Sequence, residues 1–153
     1  MHGFYEFSDL KIGIRVNVEG EYDRFTETWR TRALSIRQDG DHDEMEGRIE
    51  ELGPAPRTLR LLGLTLELPR RLEILDLDKR PMGFEALCAG MRLKVKGRVA
   101  GRRLEPAKIK LKEETPDACD EMEGCITAMD PRARTLTVLG YRIHCDADLE
   151  IEG

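Results

Sequence analysis

The sequence predicts an all-β protein made of two copies of one small unit, and three observations lead to this prediction. A segment of 32 residues from Asp43 recurs from Asp120 without a gap, at an offset of 77 positions and with 15 identities. Short runs alternate between aliphatic and polar residues, which is the period of a half-buried strand. Glycines separate these runs at the places where a chain reversal is expected. Self-similarity at a fixed offset predicts a repeated supersecondary unit.

A second pair of segments lies at the same offset and completes the unit. Residues 7–20 match residues 84–97, with identical Phe, Leu, Gly, Arg, Val and Gly residues. We call the segment type of residues 43–74 and 120–151 the first half of the unit, and the segment type of residues 7–20 and 84–97 its second half. Along the chain the order is therefore second half, first half, second half, first half. We predict an intact unit over residues 44–113. We predict a permuted unit over residues 1–40 plus 114–153, built from the two terminal parts of the chain and completed within it or by a neighbouring chain.

The first half of each unit predicts a three-stranded meander. Ile49 and Leu52 flank an expected bulge in the opening strand, and a tight hairpin follows at Leu62-Gly63 or Leu139-Gly140. Glycine at the second turn position supplies the positive φ that such a hairpin requires. The residues expected to point inward are Leu59, Leu61, Leu64, Leu66 and Leu68 in one copy, and Leu136, Val138, Tyr141, Ile143 and Cys145 in the other.

The second half of the unit predicts a short turn or helical segment and then two strands. The segment FEALCAG begins at Phe84, and Gly90 is the expected cap. Leu93, Val95 and Val99 alternate with basic residues in the next strand, and Ala107, Ile109 and Leu111 are expected to point inward from the return strand. Pro106 fits only an edge or a bulge.

Five short antiparallel strands in each unit predict a small closed barrel of the oligonucleotide-binding (OB) type. Closure removes the exposed strand edges that a lone meander would leave. The fold class is therefore two five-stranded OB-like barrels, one of them built from both terminal parts of the chain. A pair of small open sheets packed face to face is the alternative.

The motifs resemble a bacterial repeat family known as domain of unknown function 5666. The resemblance rests on a G-x-I strand at Gly47, a TLTVxG-type hairpin at residues 135–140, a glycine-terminated strand over 87–97 and an A-x-x-I strand at residues 33–36. It covers nearly the whole chain and consists of structural glycines and core aliphatic residues. It implies a small β-barrel, often repeated, in proteins of the cell envelope, the periplasm or the extracellular space, with no catalytic residues.

Composition and motifs argue against several classes of function. The net charge is −5 and aromatic residues make up 5%, which disfavours both coating of a polyanion and stacking of bases. No apolar run reaches the roughly 18 residues of a membrane span. The sequence has no Ser–His–Asp order, no glycine-rich phosphate loop and no HExxH motif. We expect no enzyme activity, no cofactor, no metal and no small-molecule substrate.

One basic hairpin is the most distinctive candidate surface. Arg92, Lys94, Lys96 and Arg98 lie two residues apart, which would place them on one sheet face. The other basic residues of this hairpin are Arg102, Arg103, Lys108, Lys110 and Lys112. Three interpretations remain open at this stage: a solvated outer face, docking against an acidic surface, and binding of nucleic acid or another polyanion.

The cysteines and the acidic linkers give weaker signals. Cys145 aligns with Leu68 and is expected in the core, whereas Cys88 and Cys125 align with polar positions. A Cys119–Cys125 disulfide remains an alternative, and a zinc site formed by these two cysteines with His144 lacks the usual paired spacing.

The spacing of Asp39, Asp41 and Asp43 with Glu50 superficially matches a calcium loop, but Glu44 stands where such a loop needs glycine. We expect a hydrated linker there. We expect Trp29 to pack at the edge of the permuted barrel and to bind no ligand.

These observations predict a non-enzymatic structural or protein-interaction module that binds itself or another protein. If residues 1–40 of one chain complete the meander of the next chain, the contact is head-to-tail strand addition and propagates as a ring or a filament. The alternative is polyanion or nucleic-acid binding by residues 92–112.

Overall fold

A computed structural model describes the chain over residues 4–38, 40, 42–53, 55–100 and 103–153. The prediction of an all-β protein is confirmed, because the described secondary structure consists of fourteen strands and two short 3₁₀ turns. The turns are Phe7–Asp9 and Phe84–Ala86. The strands are β1 (Phe4–Tyr5), β2 (Arg15–Asp23), β3 (Thr28–Arg37), β4 (Asp43–Leu52), β5 (Thr58–Leu61), β6 (Leu64–Glu67), β7 (Ile74–Leu75), β8 (Pro81–Met82), β9 (Arg92–Ala100), β10 (Arg103–Lys112), β11 (Asp120–Asp130), β12 (Thr135–Val138), β13 (Tyr141–His144) and β14 (Ile151–Glu152).

The strands of the permuted unit form a closed ring of hydrogen-bonded pairs. β11 pairs with β2 and β12, β12 pairs with β13, and β2 pairs with β3, all antiparallel. The ring closes where Ile143 and His144 of β13 lie parallel to Trp29 and Arg30 of β3. β14 pairs with β3 further along the strand, at Leu34 and Ser35, and also pairs with β1. The ring thus combines two adjacent strands from residues 1–40 with three adjacent strands from residues 114–153 of one chain.

The intact unit has the same strand order with one ladder missing. β9 pairs with β10 and β4, β4 pairs with β5, and β5 pairs with β6. β6 and β10 lie side by side, but no ladder joins them within the described residues. Pro106 takes the position of Thr31 in the permuted unit, and proline has no N–H to donate to a neighbouring strand.

One hairpin differs in length between the two units. Four residues separate β2 from β3, whereas two separate β9 from β10. Residues of β9 therefore lie 77 positions after their equivalents in β2, whereas residues of β10 lie 75 positions after their equivalents in β3. The pairs Glu19–Ala33 and Lys96–Lys108 show this, since Lys96 corresponds to Glu19 and Lys108 to Ala33. Leu104 accordingly corresponds to Trp29, and both are buried.

The two units join through an antiparallel pairing of their opening strands. Met45 of β4 lies opposite Met122 of β11, and these two residues are 77 positions apart in the sequence. The contact is therefore isologous: each unit uses the same strand, as the subunits of a twofold dimer do. It creates a central sheet in the order β3-β2-β11-β4-β9-β10.

The core positions follow the predicted alternation with one exception. The hairpin residues expected to point inward are buried, and Leu62 and Gly63 have positive φ values of 48° and 78°. The expected bulge in β4 lies between Ile49 and Glu51. Ala107 is exposed, so its predicted inward orientation is wrong. The register shifts between Pro106 and Lys108, and this bulge turns Ala107 outward.

Candidate interaction surface

The polar face of the central sheet carries most of the predicted site residues. On this face β9 and β10 contribute basic residues, whereas β4 and β11 contribute Glu44, Glu46, Glu121 and Glu123. Cross-strand neighbours on one face interact directly, so the charges of adjacent strands decide which residues remain unpaired.

Arg92 does not face solvent as the alternation of β9 suggested. Its side chain is 3% exposed, and Nη1 donates to Glu46 Oε2 at 3.2 Å and to the Cys119 carbonyl oxygen at 2.8 Å. Glu114 lies 3.4 Å from Nε. The permuted unit repeats this pair, since Arg15 Nε donates to Glu123 Oε2 at 3.1 Å. Arg92 is thus held inside the molecule and is unavailable to a polyanion.

Lys94 and Lys96 are partly neutralised by one carboxylate. Glu44 of β4 lies 3.4 Å from Lys94 Nζ and 3.3 Å from Lys96 Nζ. Burial raises the pKa of Glu44, but the two lysines together outweigh this effect and hold the pKa below its usual value. Glu44 therefore remains an anion that offsets part of the charge of β9.

The lysines of β10 have no such partner. Lys108 lies opposite Lys96, and Lys110 lies opposite Lys94. Like charges directly opposite each other destabilise a strand pair. Burial lowers the pKa of Lys110, and the four surrounding lysines lower it further. Within the described residues, no carboxylate forms an ion pair with the lysines of β10. We call the set Lys94, Lys96, Lys108, Lys110 and Lys112 the lysine ladder.

The remaining predicted residues lie at the distal end of the hairpin. Arg98 is exposed and lies opposite Glu105, and Arg103 is exposed at the start of β10. Arg102 lies outside the described residues. The candidate surface therefore consists of the lysine ladder, with Arg98 and Arg103 beyond it.

The equivalent edge of the permuted unit is acidic. Ala33 and Ser35 replace Lys108 and Lys110, and the loop over residues 146–150 reads DADLE where the intact unit has PRRLE. A groove of about 610 Å³ lies along this edge. Its carboxylates, which we call the acidic groove, are Glu19, Asp146, Asp148, Glu150 and Glu152.

The two units differ strongly in charge as a result. Residues 44–113 contain 16 Lys and Arg and 11 Asp and Glu, a formal charge of +5. The rest of the chain contains 9 basic and 19 acidic residues, a formal charge of −10. The net charge of the whole chain conceals this segregation, which appears only when the charges are counted unit by unit.

A second groove, of about 890 Å³, lies at the junction of the units. Phe25 is 85% exposed beside it, Arg24 stacks on the Phe25 ring at 5.0 Å, and the Tyr141 hydroxyl donates across the junction to the Leu62 carbonyl oxygen. Burial raises the pKa of Asp120, which lines this groove. Sequence reasoning missed the groove, although the longer hairpin after β2 was a visible signal.

The cysteines do not form the alternative disulfide. Cys119 immediately precedes β11 and Cys125 is the sixth residue of that strand, so about 16 Å of strand lies between them at the usual rise per residue, and all four cysteines are free. Burial raises the pKa of the Cys145 thiol to about 11. Cys145 is fully buried, as predicted.

The other candidate residues have structural surroundings. Trp29 is 5% exposed and packs 6.0 Å from the Tyr141 ring. His144 Nε2 lies 3.1 Å from Asp146, and no group of three potential metal ligands occurs within the described part of the chain. Of the calcium-like linker, Asp39 and Asp41 lie outside the described residues.

Comparison with protein-family models, with curated proteins and with solved structures finds no match. The family resemblance and the OB-type assignment therefore stay predictions. Within the described residues, no helix has the length and apolar character needed to cross a membrane.

Proposed function

We propose that this chain is a non-enzymatic protein-interaction module that docks an acidic protein surface on its lysine ladder. The observation that supports the proposal is the placement of Lys108 opposite Lys96 and Lys110 opposite Lys94, with no carboxylate paired to the lysines of β10 within the described residues. Such pairs cost stability in the free protein. An anionic partner removes this repulsion on binding.

An acidic protein is a better partner for this surface than nucleic acid. β9 and β10 contain no aromatic residue, so bases would have no stacking platform beside the lysines. The ladder also ends against the glutamates of β4, which would repel a phosphate backbone that continued across the sheet.

The test compares two labelled probes of equal length, a Glu-rich 12-residue peptide and a 12-nucleotide single-stranded DNA, by fluorescence anisotropy. We expect both to bind weakly and with strong salt dependence, without preference for the DNA. The variant K108E/K110E/K112E should abolish peptide binding. The control K11E/R132E/R142E makes the same charge change on exposed residues of the permuted unit and should retain it. Tenfold tighter binding of DNA, or equal peptide binding by both variants, contradicts the proposal.

Strand complementation between chains is a second candidate for the mode of assembly. The permuted unit is built from segments that lie about 80 residues apart in sequence, and β2 reaches β11 through six paired residues. The same pairs would be satisfied if β2 and β3 came from a neighbouring chain. In this arrangement the subunits would be connected by β2 and β3, which would complete the ring of strands in the neighbouring chain.

A further inference from the structure

The lysine ladder and the acidic groove occupy equivalent edges of the two units. β10 carries the ladder beside β7, and β3 borders the acidic groove beside β14. The pairs Ile109–Ile74 and Leu34–Ile151 show that the two edges have the same register. One shared scaffold thus presents opposite charges at its two ends.

Within the described part of one molecule, no ion pair joins the lysine ladder to a carboxylate of the acidic groove. Five strand spacings separate β10 from β3 across the central sheet, which is about 24 Å at the usual strand separation. The sheet curves, so this is a path length along it: Glu19 of the acidic groove lines a pocket with Lys110 and Lys112, whereas the groove carboxylates over residues 146–150 do not line that pocket. Within the described residues the ladder lysines of β10, Lys108, Lys110 and Lys112, therefore have no ion-paired carboxylate, and the acidic groove of a second molecule can supply one.

We propose that the acidic partner is a second copy of this chain, whose acidic groove receives the lysine ladder of the first. This inference rests on the proposed function and specifies its partner. The carboxylates of Asp146, Asp148 and Glu150 are exposed, as is the ammonium-bearing side chain of Lys108, so both surfaces are accessible in the single chain.

The contact joins two different surfaces and is therefore heterologous. Each copy retains a free ladder at one end and a free acidic groove at the other, so association continues head to tail into open chains or closes into a ring. Exposed charge pairs are individually weak and are screened by salt. The assembly is accordingly reversible and sensitive to ionic strength.

Sedimentation velocity over a concentration series tests this inference at 20 mM and 500 mM NaCl. We expect the average sedimentation coefficient of the unmodified protein to rise with concentration at low salt and to stay at the single-chain value at high salt. The variants K108E/K110E/K112E and D146K/D148K/E150K should each fail to associate alone. The control K11E/R132E/R142E should associate like the unmodified protein.

A mixture of the two charge-reversed variants provides the decisive measurement. One variant carries two acidic ends and the other two basic ends, so the equimolar mixture should regain association at low salt. Failure of the mixture, or association of either variant alone, overturns the inference. If the unmodified protein stays a single chain at low salt while its ladder still binds the Glu-rich peptide, only the self-docking is wrong. If it also fails to bind the peptide, the proposed function fails as well.

Discussion

At the scale of single residues, Gly20 and Gly97 show that the two units share one backbone contact, in which the return strand closely approaches a glycine. A Cβ atom at Gly20 would lie 2.0 Å from the Arg30 carbonyl oxygen, and one at Gly97 would lie 2.1 Å from that of Glu105. No side chain fits at these distances, so the bulged return strand can approach only a glycine. The sequence shows that both glycines are shared, but the contact that requires them depends on the register of the bulged return strand, which the pattern does not specify.

Arg92 marks the limit of residue-scale inference from the sequence. Period-two alternation placed it on a solvated face with Lys94 and Lys96, and it does share their face. Its burial comes from Glu46 and from the linker residues Glu114 and Cys119, which fold over it. Alternation within one strand reports the face of a residue but not what covers that face.

Two arginines that share Glu114 as a partner allow a matched prediction. We expect R92A to lower the free energy of unfolding by about 3 kcal/mol, because it leaves Glu46 and the Cys119 carbonyl without their buried partner. R48A removes an ion pair between side chains that are 61% and 41% exposed, and should cost less than about 1 kcal/mol. Urea denaturation measures both, and equal losses would contradict a structural role for Arg92.

At the scale of elements, local signals predicted the hairpins but not the place where each ring of strands closes, β13 against β3 in the permuted unit and β6 beside β10 in the intact unit. The turn at Leu62-Gly63 and the bulge in β4 follow from glycine placement and from a break in the alternation. Pro106 was expected at an edge or a bulge, and it lies at both: the bulge of β10 and the edge that faces β6. That β6 would be the unbonded neighbour could not be predicted, since closure joins strands distant in sequence.

Amide hydrogen exchange should distinguish the hydrogen-bonded contact between β13 and β3 from the contact between β6 and β10, which has no strand pairing within the described residues. β13 lies between β12 and β3, so we expect slow exchange for the amides of Tyr141–His144. Among the described strands β6 pairs with β5 alone, and antiparallel pairing on one side bonds about every second amide. The other amides of Leu64–Glu67 should exchange much faster, and P106T, which restores the donor present in the permuted unit, should slow them. Equal protection of the two strands in the unmodified protein would show that the intact unit is closed as well.

At the scale of the whole molecule, the offset of 77 residues carried most of what was predictable. It divided the chain into equivalent segments but did not indicate that β4 and β11 pair with each other at Met45 and Met122. Pairing between units depends on complementary edges and not on local pattern. The opposite charges of the two edges were present in the sequence, but they became meaningful only when the structure placed Lys108 and Ala33 at equivalent positions.

An engineered disulfide separates the two routes to assembly. Glu19 of β2 and Glu121 of β11 lie directly opposite each other in the antiparallel pair, and Cα atoms of such opposed residues lie within the range that a disulfide can bridge. We expect E19C/E121C, with Cys88, Cys119 and Cys125 changed to serine, to oxidise within single chains and to run as one band on a non-reducing gel. Covalent multimers would instead mean that β2 crosses to a neighbouring chain. A single band combined with salt-dependent association would leave docking of the charged ends as the route, because the locked chain has no strand to exchange. It keeps the other four carboxylates of the acidic groove, which are Asp146, Asp148, Glu150 and Glu152.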